Sequence, residues 1–190
     1  MKMNRFGRAE ILTGDQINLL FTQGFIKPRD RALFGVCLYA AARINEAVTL
    51  LTGDVVGVKG VRDRLVIRSH NTKGGRETRE IDVHPCLKGY LEDYLHEGLK
   101  KPYLFPGRHG RGHLHKGSAD KILRDTCERL QIEGVSTHSF RRTTLTKMSD
   151  AGVPLRHIQA ISGHRTLGSL ERYLGVTDQQ KQNAISVLDF

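Results

Sequence analysis

The chain has 190 residues, with 30 Lys and Arg against 20 Asp and Glu, a formal net charge of +10. Its size suits one domain with its own core, its 38% apolar and 26% charged content is that of a globular protein, and no apolar run reaches the ~18 residues of a membrane helix. The start, MKMNRFGRAE, lacks the apolar stretch of a secretory signal. The positive excess points to a polyanionic partner, and nucleic acid is the commonest. Cys37, Cys86 and Cys127 are odd in number, far apart and without a C-x-x-C pair. That argues against a disulfide framework or a cysteine-built zinc site, and for a reducing cytosol.

Residues 1–12 read as a basic, loosely held segment. Thr13 and Gln16 form a capping box that opens a helix through Leu19, Leu20 and Phe21, ending at Gly24. Pro28 suits the first turn of a second helix through Leu33, Phe34, Val36, Cys37 and Ala40. A short third helix covers Asn45 to Leu51. The period then shortens. Residues 54–58, 64–69 and 77–83 are β-branched runs between turn residues, and predict a small three-stranded antiparallel sheet. Lys73-Gly74-Gly75 forms its second turn. A helix follows Pro85.

Residues 98–119 contain no acid. They read as a mobile loop bearing Lys100, Lys101, Arg108, Arg111 and Lys116, either as a solvated surface or as a DNA-backbone contact; the lack of acids favours the second. His109, His113 and His115 lie there too, without the fourth ligand or cysteine partner that zinc needs. Helices are expected over 118–130, 137–150, 154–162, 168–174 and 177–188. The fold class is therefore α+β, mainly helical with a small sheet at one edge. The chain divides into segment 1–12, a body over 13–177, and a C-terminal helix over 178–190 whose apolar stripe packs on its own body or on a neighbouring subunit.

Four scattered pieces carry the chemistry. Arg43 and Glu46 are three apart on a helix; alone, they read as an ordinary surface pair. Lys73 sits in a turn. His138 and Arg141 share a helix face near its N-terminus, where an anion is welcome. Gly163-His164 resembles a helix C-cap, and Tyr173 follows nine residues after His164. Cys37 and Cys127 read as core, His157 as an ordinary helix-face residue, and Arg76 and Arg79 as strand residues facing solvent or backbone.

In this order, R-x-x-E, a turn lysine, H-x-x-R, then G-H and a tyrosine, the set resembles the tyrosine recombinases (phage integrases). ARINEA is similar to that family's arginine box, and HSFRRTTLTKMSDAGVPLRHIQAISGHRTLGSLERYLGV to its second box. The resemblance runs from about residue 13 to 177. It implies a DNA strand breakage and rejoining enzyme that forms a 3′-phosphotyrosine link without metal, cofactor or ATP. Arg43, Arg141 and His164 would hold the scissile phosphate. Tyr173 would be the nucleophile, His138 would help move its proton, and Lys73 would protonate the departing 5′ oxygen. Glu46 would orient and buffer the arginines. Arg142, Arg108, Arg111 and Lys116 are candidate DNA contacts.

Phosphoryl transfer gathers negative charge on the non-bridging oxygens, and guanidinium forks match that demand. The chain has no carboxylate cluster beside these residues of the kind magnesium would need. Such enzymes commonly carry an N-terminal DNA-clamping domain of roughly 100 residues, a small-domain size. Here about a dozen residues precede the first helix, which suggests either a catalytic fragment or a small stand-alone recombinase similar to the invertases. Expected partners are double-stranded DNA, a second copy (homodimer or tetramer on DNA) and a DNA-bending accessory protein, with no membrane. The expected location is the cytoplasm or nucleoid of a bacterial, archaeal or phage-infected cell. A type IB topoisomerase-like enzyme, a telomere resolvase and a silent DNA-binding regulator are the alternatives.

Overall fold

The computed structural model describes residues 9–69, 78–96, 98, 102–171, 174, 181–182 and 185–186. Among these the chain is mainly helical, with two small antiparallel sheets. Helix α1 (Gly14–Leu19) opens on the expected capping box: Gln16 N donates to Thr13 Oγ1 at 3.1 Å and Thr13 N to Gln16 Oε1 at 3.0 Å. A π-helical turn, Leu20–Gly24, continues it. Arg129 donates to the free carbonyls at that end, Gly24 O at 2.6 Å and Gln23 O at 3.3 Å.

Helix α2 (Pro28–Tyr39) is the central post, and every residue from Ala32 to Leu38 is buried. A helix that is apolar all round must be covered all round. Helix α5 (Pro85–Leu95) covers one side through Leu87, Leu91 and Tyr94, and α7 (Thr137–Asp150) another. Phe25 stacks on Phe34 at 4.5 Å between centroids, and Phe140 of α7 lies 5.2 Å from Phe34. That contact fixes the rotation of α7.

Between α2 and α5 come short α3 (Ile44–Val48) and α4 (Thr52–Val55), then strands β1 (Val56–Gly57), β2 (Gly60–Val61), β3 (Arg64–Ile67) and β4 (Arg79–Asp82). The three-stranded sheet expected over 54–58, 64–69 and 77–83 is corrected to two hairpins, β1–β2 and β3–β4, the latter pairing Leu65 with Ile81. The reason is local: Asp54 accepts from Leu51 N at 3.3 Å, which winds 52–55 into a helical turn before the chain can extend.

The acid-free stretch is also corrected: residues 102–115 are anchored, not a mobile loop. Leu104 and Phe105 have no exposed surface, Leu104 N donates to Leu50 O at 2.9 Å, and Leu114 N to Phe105 O at 2.7 Å. Its apolar residues outweigh its charges. The basic tip is a tight turn at 107–112, closed by Gly107 N donating to Gly112 O at 3.1 Å. Likewise residues 9–12 are held, since Leu12 is 1% exposed and its N donates to Thr143 Oγ1 at 2.8 Å. Leu12 and Ile17 occupy the two positions of a hydrophobic staple, and both pack on the core.

Helices α6 (Lys116–Arg129), α7, α8 (Leu155–Ser162) and α9 (Leu167–Glu171) complete the order. Ala41, Leu145, Ile158 and Leu170 form a second, smaller core at the α7–α8–α9 end. The segment 177–188, expected as a helix, falls largely outside the described residues.

Candidate functional site

The site forms where the two cores meet, at the ends of α2, α7 and α8. Arg43 is the N-cap of α3. Glu46, three residues on, reaches back to accept from Arg43 N at 2.8 Å and from Arg43 Nη1 at 2.9 Å. The surface-pair reading of these two is therefore wrong: Glu46 is 1% exposed. Before them, Ala41 adopts a left-handed conformation, φ 47°, that a side chain rarely accepts. It turns the Ala41 carbonyl toward Arg141, whose Nη1 donates to it.

Arg141 has no exposed surface. Its Nη2 donates to Ser162 O at 2.7 Å and lies 3.4 Å from His164 Nε2, and its Nη1 is 4.0 Å from Glu46 Oε2. A buried guanidinium is tolerable only with such a shell of acceptors. Gly163 ends α8 at φ 64°, and this left-handed cap folds His164 back over Ser162. His164 Nδ1 lies 2.8 Å from Ser162 Oγ. The tautomer with its proton on Nδ1 satisfies both contacts. His138 stands exposed in the first turn of α7. Partial removal from water, then the charges of Arg141 and Arg43, hold its pKa below the ordinary histidine value.

Arg43, Glu46, Arg141 and His164 are thus brought together, with His138 close enough to feel both arginines. Lys73 and Tyr173 lie outside the described residues, as does Arg76. Arg79 was expected to face solvent or backbone, and that reading is corrected. Its side chain is 9% exposed, and Nη2 donates to Glu46 Oε2 at 2.7 Å. The strand pattern gave no signal for this, because the partner lies 33 residues away. Burial pushes the Glu46 carboxyl up, but Arg79 and then Arg43 outweigh it and hold the group below the ordinary carboxylate value.

The proposed DNA contacts separate into two kinds. Arg108, Arg111 and Lys116 are exposed, the first two on the 107–112 turn and the third at the start of α6. Arg142 is half-buried and donates to Ala9 O, so it ties the N-terminal segment to α7. The loop histidines have local partners: His113 Nδ1 bonds Leu114 O at 2.9 Å, and His115 Nδ1 accepts from Gly117 N at 3.2 Å as the α6 cap. Among the described residues no cluster of His, Cys, Asp or Glu could hold a metal ion, and no helix is long and apolar enough to cross a membrane. Cys37 and Cys127 are buried in the core as expected.

The phage integrase family model matches residues 10–180. The chain belongs to the phage integrase family. A tyrosine recombinase of Thermosipho africanus is 28% identical over 170 residues, covering 84% of this chain and 54% of that protein. The crystal structure of XerA recombinase superposes with a TM-score of 0.76 at 21% identity, over 96% of this chain and 65% of the other. XerH site-specific recombinase bound to palindromic difH, in a post-cleavage complex, gives 0.73 at 18% identity, over 96% and 54%. This integrase-family chain spans about half the length of the curated relatives it matches.

Proposed function

We propose that the protein is a site-specific DNA recombinase that cuts and rejoins strands through Tyr173. The observation that carries this reading is the convergence of Arg43 and Arg141 on one buried carboxylate, Glu46, with His164 against Arg141. These are the phosphate-holding residues that the family resemblance assigns, drawn from three distant stretches of chain. In the proposed reaction the Tyr173 oxygen attacks the scissile phosphorus and its proton passes to His138, whose depressed pKa leaves the ring free to accept it. The bond to the 5′ oxygen breaks, and Lys73 supplies the proton that oxygen takes. Arg43 and Arg141 offset the charge on the non-bridging oxygens. A 5′ hydroxyl of another strand then attacks the 3′-phosphotyrosine and releases Tyr173, so no ATP is consumed.

Double-stranded DNA is the proposed substrate, with dimers or tetramers assembling on it, aided by a DNA-bending protein, in the DNA-containing cytoplasm. The XerH recombinase, which shares this fold, is bound to its difH substrate in its own structure, and this supports the choice of partner.

Covalent capture tests the reading. The protein and its Tyr173→Phe variant are expressed in cells, the lysates denatured, and protein-linked DNA recovered and sequenced. Tyr173-dependent DNA mapping to a few loci is expected. Equal, near-zero recovery from both would favour a silent DNA-binding protein. Relaxation of plasmids by a monomer, without exchange of partners, would favour a topoisomerase.

A further inference from the structure

Arg79 begins β4 and inserts between α3 and the end of α8. Its Nη2 is 2.7 Å from Glu46 Oε2 and its Nη1 3.5 Å from Oε1, while its buried Nε has no hydrogen-bond partner among the described residues. On the other side a Cβ on Gly163 would sit 2.8 Å from Nη1 and 3.2 Å from Cζ. The guanidinium is therefore wedged between the carboxylate and the turn that carries His164.

The surroundings of Glu46 are uneven. Oε2 accepts from Arg43 N at 2.8 Å and from Arg79 Nη2 at 2.7 Å, and Oε1 from Arg43 Nη1 at 2.9 Å. Arg141 Nη1 makes only a long ion pair with Oε2, at 4.0 Å, while Arg141 donates to the carbonyls of Ala41 and Ser162. One carboxylate thus faces three guanidiniums and is fully engaged by two of them. An Arg141–Glu46 pair would compete with a phosphate for the Arg141 fork.

We propose that Arg79 is a positioning residue: it holds Glu46 on the strand side, so that the carboxylate does not close on Arg141 and the pocket keeps its positive charge for the scissile phosphate. The proposal rests on the recombinase reading above. Arginine suits this task because its planar fork fixes a carboxylate in one orientation, which a lysine ammonium does not.

The test uses suicide substrates carrying a site recovered by covalent capture, with a phosphodiester or an uncharged methylphosphonate at the scissile position. Single-turnover formation of the Tyr173 adduct and DNA affinity are measured for the wild type, Arg79→Lys and Arg79→Gln. On the phosphodiester we expect Arg79→Gln to be slowed about 100-fold, the scale of a small misplacement at a reacting centre, with Arg79→Lys between it and the wild type. DNA affinity should change little. On the methylphosphonate, which lacks the charge the pocket must offset, most of the loss should vanish for both variants. Equal losses on both substrates would make Arg79 a general structural residue and overturn the proposal, as would undiminished cleavage by Arg79→Gln. If Arg79→Gln does not fold, the ratio of the two substrates for Arg79→Lys decides by the same criterion. If the wild type itself forms no adduct on captured sites, the recombinase reading fails first.

Discussion

At the residue scale the site is governed by one carboxylate. Removing it by Glu46→Gln leaves buried guanidiniums without their counter-charge, and a buried partner lost in this way costs about 3–5 kcal/mol. Urea unfolding at neutral pH should show a loss of that order. Glu46 has a folded pKa below its ordinary value, so its stabilisation is present above about pH 4.3, the ordinary glutamate value, and is lost as pH falls through the folded pKa. The gap between wild type and Glu46→Gln should narrow below that pH. His138 behaves in the opposite chemical sense: the neutral ring is favoured. Its titration, followed by NMR, should have a midpoint below about 6.5, the ordinary histidine value. Arg43→Gln should move that midpoint up, because one of the repelling charges is gone. A midpoint at or above the ordinary value would remove the case for His138 as a ready proton acceptor.

At the scale of elements, short turns place the charged groups. Gly107 is extended, not left-handed, yet a Cβ there would meet Arg111 O at 2.4 Å and His113 O at 2.9 Å. Both are backbone atoms and have little room to give. Gly107→Ala should therefore open the 107–112 turn at about 1–3 kcal/mol, the usual range for overpacking. It should weaken DNA binding along with the loss in thermal stability. If only stability falls, the turn's arginines are not contacts. How far the elements were legible in the sequence depended on where their signals lie. The α1 capping box and the α2 proline are local devices, and both helices form where the pattern places them. The charge of the 98–119 stretch predicts a solvated loop, but Leu104, Phe105 and Leu114 outweigh it and pin residues 102–115 to the body. The hairpin grouping failed because the Asp54 cap acts over three residues and preempts extension.

At the scale of the whole molecule the question is how a chain of net charge +10 would meet the proposed DNA substrate. Each phosphate neutralised by a bound cation adds roughly 0.9 to the salt slope of binding. If Arg108 and Arg111 both contact phosphates, replacing them with alanine should lower that slope by about 1.8. An unchanged slope would assign the exposed turn to solvent. Arg142 should behave differently, because it holds Ala9 against α7 in place of facing outward. Its replacement should loosen the N-terminal segment more than it alters the salt slope.

The sequence by itself determined the family and the fold class. Those depend on residue types at fixed local spacings, such as R-x-x-E and H-x-x-R, which a linear pattern can display. Tertiary structure alone decided that Glu46 is a buried hub, that Arg141 is sealed inside the molecule, and that Arg79 joins them. Each of these depends on a carboxylate and guanidiniums meeting from segments 33 to 95 residues apart, as in the Arg79–Glu46 and Arg141–Glu46 contacts. Burial then turns ordinary surface charges into an obligatory network, because a charge withdrawn from water must find its partners inside.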